Sequence, residues 1–392
     1  MDSFDSARFF RGARTLSKGT VVSINIVTDT GRFFEMEGAW NNFIRSHSER
    51  PFLLSGFVKQ FMEFYQGQGW VPTLLVFSVN HRIVGVAPLM TRTKFGFRIA
   101  RLLLTLSYFP DLVFEDRYRQ PCIDHTLDFL FNVLNCQLVY LAIPSESANL
   151  TGLKRNREDR GMKFLARPEM GHRVLPVKCT WDEFEKSRGK KFRQDFKRTE
   201  RKMAGAGSWK VTCFEKGEAM EITNRILDVE RVSWKEEWRS RMELEIDKVL
   251  MMVLRGSLYA AETEPDFMWN VWFLELDNKP LAYIIVVQYK GVAYFAKTSH
   301  DARYRRFSPG IYVMNAALRE LFNGHQVKII DFLTDLQWVG TWTSFCLPRV
   351  GILMPKSRVL TALISLGRCN RAIKSVLTSL SKRLPSIANV LY

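Results

Sequence analysis

Two Val- and Ile-rich apolar runs flank Asn80-His81 between residues 74 and 90. Apolar strands that bend back at a turn-forming pair make a β-hairpin, and one is predicted here. The pattern recurs. Residues 271–287 superimpose on it without a gap at a constant offset of 197, Val84 falling on Leu281 and Gly85 on Ala282, turn on turn. An internal duplication is therefore expected, against the alternative that any two hairpins look alike. Ahead of the first copy, residues 57–65 place Phe57, Val58, Phe61, Met62, Phe64 and Tyr65 at helical spacing; residues 220–254 do the same at greater length ahead of the second. Each half reads helix, hairpin, then mixed elements. Residues 186–202 between them are intensely basic and end at Gly205-Ala206-Gly207, a helix stop. The expected division is an N-terminal extension over 1–54, a first half over 55–176, a second half over 177–350 and a basic amphipathic tail over 351–392.

The end of the second half carries the chemistry. Residues 291–299 read as a strand, 301–307 as a polar, Arg-rich loop, 311–322 as a helix stopped by Gly324, and 327–333 as another strand. Ser308 suits the N-cap, Pro309 has the fixed φ of a first helical position, and Gly310 removes a side chain where a ligand approaches the backbone. Unpaired N–H groups and the helix dipole make such a terminus an anion site. Arg303, Arg305 and Arg306 lie just ahead of it, with the fork geometry that holds a pyrophosphate. The plain alternative is a capped surface helix beside a solvated Arg loop.

At 392 residues and 46% hydrophobic the chain can bury a large core, more in keeping with two domains than one. Its six cysteines lack CxxC spacing and its six histidines form no HxxxH group, so neither a metal site nor a disulfide framework is expected. The N-terminus lacks the continuous apolar stretch of a secretory signal, and the apolar run at 281–287 is far short of a membrane span, so a cytoplasmic protein is expected. The net charge of +17 calls for a polyanionic partner: nucleic acid, an anionic membrane surface or a phosphorylated cofactor. No Asp or Glu follows Asp335, whereas Arg349, Lys356, Arg358, Arg368, Arg371, Lys374, Lys382 and Arg383 do. With apolar residues at largely helical spacing, this tail fits either peripheral attachment to the inner face of an anionic membrane or a helix packed on the protein body.

The run from Glu230 to Asp331 resembles the tandem-GNAT acyltransferases of the BioF-like, cellulose-biosynthesis-associated type, relatives of the FemAB aminoacyl transferases. The matching pieces are Glu230-Arg-Val-Ser-Trp-Lys235, the hairpin at 273–287, Ala293-Tyr-Phe-Ala-Lys297, Ser308-Pro-Gly310 and Ile330-Asp-Phe-Leu333. The resemblance implies an α/β fold of two tandem GNAT-like domains, each a mixed sheet flanked by helices. It implies acetyl-CoA or another acyl-CoA as co-substrate, its pantetheine arm between the strands at 291–299 and 327–333, with Lys297, Arg303, Arg305, Arg306, Ser308 and Gly310 as cofactor-binding residues. It further implies direct transfer in a ternary complex to an amine, whether of an amino sugar, an amino acid or a lipid-linked acceptor. A backbone N–H stabilises the oxyanion and a general base takes the proton. One departure stands out: relatives carry an aromatic residue followed by Lys after the Asp-Phe-Leu strand, and this chain has Trp338-Val339.

Glu230 and Trp234, four apart on a helix, share a face. Glu230 reads as the proton acceptor or as a surface ion-pair partner, and Trp234 as a wall of the acceptor pocket or as core; Lys235 and Trp338 join the acceptor set. Asp331 on its apolar strand is either a base or orienter, or a carboxylate satisfied by N–H groups of the next loop, because burying it unpaired is costly. His300 reads as a surface histidine in preference to a titrating one. Two further readings stay open: an aminoacyl-tRNA-dependent transferase of the FemAB kind, and a basic scaffold or nucleic-acid-binding protein with a vestigial site. The basic stretch at 186–202 has too few aromatics to read nucleic acid beyond a tRNA donor.

Overall fold

Both expected hairpins form, and they match in detail. The computed structural model describes residues 14–15, 21–104, 108, 110–160, 163–204, 207–215, 219–233 and 246–369. In the first hairpin, strands Val71–Val79 and Arg82–Lys94 are joined by Asn80 and His81 with φ of 48° and 64°; in the second, Phe267–Leu276 and Lys279–Tyr289 are joined by Asp277 and Asn278 with φ of 50° and 66°. Two consecutive left-handed residues define the tight turn whose twist matches that of the strands. The register slips once in each, after Phe77 and after Leu274, again at the offset of 197. A coincidence of turn, pairing and irregularity is the mark of a duplicated unit.

The chain divides into two units of discontinuous sequence. Unit 1 comprises Met1–His47, Tyr65–Glu169 and Arg349–Tyr392; unit 2 comprises Ser48–Phe64 and Met170–Pro348. Unit 1 holds β1 (Arg14–Thr15), β2 (Val21–Val27), β3 (Val71–Val79), β4 (Arg82–Lys94), β5 (Phe97–Leu102), β6 (Val113–Phe114), β7 (Leu138–Pro144) and residues 349–355 of β14 (Cys346–Pro355). They are ordered β1-β2-β3-β4-β5-β7-β14, with β6 on β4. Only β5 and β7 run parallel. Leu75, Phe77, Val84 and Leu89 of this sheet pack with Ile123, Leu127 and Leu130 from the helix Arg119–Asp128 and the turn after it.

Unit 2 repeats the plan. It contains residues 170–176 of β8 (Leu165–Pro176), then β9 (Trp209–Phe214), β10 (Phe267–Leu276), β11 (Lys279–Tyr289), β12 (Val292–His300) and β13 (Ile329–Asp331), in the order β8-β13-β12-β11-β10-β9. The parallel pair is β12 with β13. One sheet face, carrying Trp272, Ala282, Ile284, Val286, Ala293 and Phe295, buries Val313, Met314, Ala317 and Leu321 of the helix Pro309–Asn323. Helices Ala219–Arg231 and Ile246–Thr263 pack on β11 and β10. Each half is thus a mixed sheet flanked by helices, as the resemblance implied.

Three local expectations differ. Residues 302–307 form a 3₁₀ helix, Ala302–Phe307, in place of a loop. Ser308 stands at the N-cap position but adopts a left-handed φ of 51° and makes no side-chain cap bond, because the preceding 3₁₀ turn fixes its backbone. The basic stretch is two helices, Trp181–Ser187 and Lys190–Ala204, the first opened by a capping box of Thr180 and Glu183.

Gly85 gives a test of the unit 1 core. A Cβ there would lie 2.6 Å from Cδ1 of Phe114 and 3.2 Å from Sγ of Cys122. Gly85→Ala is expected to lower unfolding free energy by about 1–3 kcal/mol through overpacking. Chemical denaturation measures it, and an unchanged midpoint would mean that the Phe114 ring moves aside.

Candidate functional site

Parallel pairing between β12 and β13 is brief. It runs through Val292 with Ile329, Ala293 with Ile330 and Tyr294 with Asp331, and stops. β12 continues for six more residues to His300, held on its other side by β11. Among the described residues no strand pairs with that second edge, and β13 leaves β12 there; Ser233 makes an isolated antiparallel bridge to Asp301 just past its end. A register shift between Ile285 and Val286 of β11 leaves Ala296 unopposed in the ladder, between Phe295 and Lys297. A bulge there re-aims backbone groups where the strands part. In unit 1, by contrast, β5 ends one residue past its last parallel pair, Arg101 with Tyr140. The long extension past the ladder belongs to unit 2.

The helix Pro309–Asn323 begins at the same end of β12. Ile311 and Tyr312 both donate their N–H groups back to the Ser308 carbonyl, at 3.0 and 3.1 Å, and Pro309 has no N–H. Gly310 is left as the first-turn donor without an acceptor among the described residues. A Cβ on Gly310 would lie 3.3 Å from Nδ1 of His300, so the absent side chain is what keeps this approach clear. Of the three arginines expected here, Arg303 is engaged otherwise: its guanidinium closes on Asp301 at 2.6 to 3.1 Å, which raises its pKa further. Asp301 itself donates its N–H to the Leu281 carbonyl, fixing the turn to β11. Arg305 and Arg306 are exposed, Arg306 lying over the Phe307 ring. Lys297 is half-buried on β12.

Glu230 is fully buried near the end of the helix Ala219–Arg231. Tyr283 of β11 donates its hydroxyl to Oε1 at 2.5 Å, and Ser233 donates to Oε2 at 3.3 Å. Tyr283 alternates with Ala282 and Ile284, so it faces away from the Pro309 helix. Ser299 pairs with Tyr283 across the ladder and therefore shares its face. Its hydroxyl is buried and has no hydrogen-bond partner among the described residues. Sequence reasoning found Glu230 but missed Tyr283 and Ser299; the available signal was a polar tip at alternate positions of otherwise apolar strands.

Asp331 is 3% exposed. Its Oδ1 accepts from Nδ1–H of His172 and from the N–H of Leu333, both at 2.8 Å, while Arg50 approaches Oδ2 at 3.7 Å and donates to Nε2 of His172 at 3.4 Å. Leu333 has a left-handed φ of 52°. A carboxylate bonded two residues on stabilises such a turn, and this turn leads the chain out of β13. Asp331 stands opposite Tyr294 and Tyr283 opposite Ser299, five residues apart along β12, or about 16 Å at 3.3 Å per residue. The structure therefore separates Asp331 from Glu230.

Trp234 and Lys235 lie outside the described residues. Trp338 is half-exposed and meets Trp342 edge to face, whereas Val339 is fully buried in the core. A lysine at 339 would bury an ammonium among apolar side chains. Burial pushes the Cys136 thiol up to about 11 and that of Cys213 to about 12, so neither offers a thiolate at neutral pH. Cys213, Glu215 and Glu320 bring possible metal-ligand atoms within 4.8 Å, but the two carboxylates are exposed and Glu320 accepts from Nε1 of Trp272. Tyr312, Asn315 and Glu320 also line a groove of about 730 Å³ that runs along the Pro309 helix from its first turn to Gly324.

A family profile described as an acetyltransferase (GNAT) domain matches residues 190–338. The fold is similar to the crystal structure of FemX, with a TM-score of 0.54 at 11% identity over 84% of this chain and 98% of that one. It is similar also to a conserved protein of unknown function from Bacteroides thetaiotaomicron VPI-5482, with a TM-score of 0.52 at 10% identity over 85% and 100%. Among curated proteins no sequence matches the chain. The chain has a GNAT-type fold similar to that of FemX, and its acetyltransferase-like segment falls within unit 2.

The Asp331 cluster yields a test of its role. If the carboxylate anchors the turn, Asp331→Asn is expected to lower stability by about 1–3 kcal/mol. His172→Ala should show coupling of about 0.5–3 kcal/mol with it in a double-mutant cycle. Additive effects would mean that the two side chains act independently.

Proposed function

We propose that unit 2 transfers an acyl group from acyl-CoA, most simply acetyl-CoA, to an amine by direct attack within a ternary complex. The observation that carries this is the divergence of β13 from β12 beyond Tyr294, with a bulge at Ala296 and the Gly310 N–H at the far end. An extended arm bearing amides fits an open strand edge, since both present alternating donors and acceptors. A pyrophosphate fits a helix start with the Gly310 N–H unengaged and the exposed Arg305 and Arg306 beside it. The residues present thus suit acyl-CoA, which supplies an activated thioester carbonyl. Arg303 holds the turn through Asp301 and leaves the anion to its neighbours.

The chain's own groups then have distinct tasks. A backbone N–H freed at the bulge donates to the developing oxyanion. Glu230, acting directly or through the Tyr283 hydroxyl, accepts the proton that the attacking ammonium must lose. Ser299, on the same face, orients the nucleophile. Asp331, His172 and Arg50 hold the end of β13 so that the strands diverge. The acceptor is an amino sugar, an amino acid or a lipid-linked amine.

A second reading is favoured by one feature: Lys190, Lys191, Lys197, Arg198, Arg201 and Lys202 of the helix Lys190–Ala204 are exposed. Such a surface would take the phosphates of an aminoacyl-tRNA donor. Mass spectrometry of ligands retained by the purified protein separates the donors, CoA supporting the first reading and RNA the second.

Acetyl-CoA at 100 times its dissociation constant is expected to stabilise the protein by about 2.7 kcal/mol. Gly310→Asp, which sets a carboxylate against the pyrophosphate, should remove the shift and leave the unliganded melting curve near that of the wild type. An unmoved curve for the wild type would overturn the CoA reading. Once an acceptor is identified, Glu230→Gln should retain CoA binding and lower turnover roughly 100-fold or more, the scale of one general base. Near-normal turnover would take Glu230 out of the mechanism.

A further inference from the structure

Beyond strand β14 the chain forms the helix Arg358–Cys369. Its Leu360 and Ile364, four apart, pack on Ile99, Leu138 and Leu353 of unit 1. A surface helix of a globular protein ordinarily presents polar residues on its other side. This one does not. Val359 is 71% exposed and Leu363 52%, with the exposed Ala362 between them. The sequence continues their spacing at Leu366. Both sides of the helix are therefore apolar, and the described residues cover only one of them.

Charge selects the occupant of the other side. Arg358 is exposed at the start of the helix, and Arg368, Arg371, Lys374, Lys382 and Arg383 follow in sequence with no Asp or Glu after Asp335 to offset them. Lys356 is excluded from this set because its ammonium is bonded to the Phe131 carbonyl and Asn135. An apolar stripe on a helix that opens at the exposed Arg358 and leads into a basic sequence matches a surface that offers acyl chains at shallow depth beneath anionic headgroups. No helix among the described residues is long and apolar enough to cross a membrane. We infer that the Arg358–Cys369 helix docks the protein on an anionic lipid surface, with Val359 and Leu363 in the headgroup boundary and the basic residues against the phosphates. This inference does not depend on the acyl transfer chemistry. It does bear on the acceptor, since a protein held at a bilayer meets lipid-linked amines at high local concentration.

The test is sedimentation of the full chain with vesicles. Wild-type protein is expected to pellet with phosphatidylglycerol–phosphatidylcholine vesicles, to stay in solution with phosphatidylcholine alone, and to dissociate as salt is raised. Val359→Asp with Leu363→Asp alters only side chains that point outward. It should preserve the melting curve and lower partitioning at least tenfold. Arg371→Ala with Lys374→Ala should lower it by roughly fivefold per charge. Wild-type protein that remains in solution with the anionic vesicles overturns the inference. So does equal partitioning of the Val359→Asp, Leu363→Asp variant, which would assign binding to charge without the helix face. Self-association in analytical ultracentrifugation that this variant abolishes, with no lipid binding by the wild type, would assign the face to a second copy of the chain and overturn the inference as well.

Discussion

The shortness of one parallel ladder organises unit 2. β12 and β13 share three residue pairs, and then the Asp331 carboxylate takes the N–H of Leu333 and turns the chain away. That bond is possible because Leu333 accepts a left-handed backbone, which a leucine adopts only where its surroundings compensate the strain. His172 and Arg50 supply the compensation by completing the partners of a carboxylate that would otherwise be buried with its charge unmet. Longer pairing would close the edge of β12. A missing pairing would leave the sheet without its parallel strand.

The duplication shows how one plan serves two purposes. Hairpin turns, registers and register slips agree between the halves at a single offset. What differs lies just beyond. β5 stops one residue past its last pair with β7, while β12 runs on for six residues, carries a bulge and meets a helix start. Among the described residues the long extension beyond the parallel ladder belongs to β12 and not to β5. Fold alone does not distinguish them; strand length does.

Glu230 and Asp331 are both buried carboxylates, yet their neighbours give them different work. Asp331 is surrounded by donors with fixed positions: a backbone N–H, an imidazole and a guanidinium. Those donors make it an anchor for the turn. Glu230 accepts from two hydroxyls, Tyr283 and Ser233, among its contacts, and hydroxyls can donate and accept alike.

Much of this was legible in the sequence. Apolar runs on either side of Asn80-His81 and Asp277-Asn278 gave both hairpins, because turn chemistry and strand-forming residues are encoded locally. Pro309-Gly310 marked the helix start for the same reason, Asp331 stood out as an acid on an apolar strand, and Glu230 was reached through the family resemblance. Tertiary structure decided the rest. Arg303 was indistinguishable from Arg305 and Arg306 until the turn set Asp301 beneath it. His172 and Arg50 come from segments 159 and 281 residues away from Asp331, and no local pattern links them. Val339 could be judged incompatible with a lysine only once its neighbours buried it. Short-range periodicity records which face of an element is apolar. Which polar groups meet across elements is set by the packing of distant segments, and one chain read in order does not contain that distance.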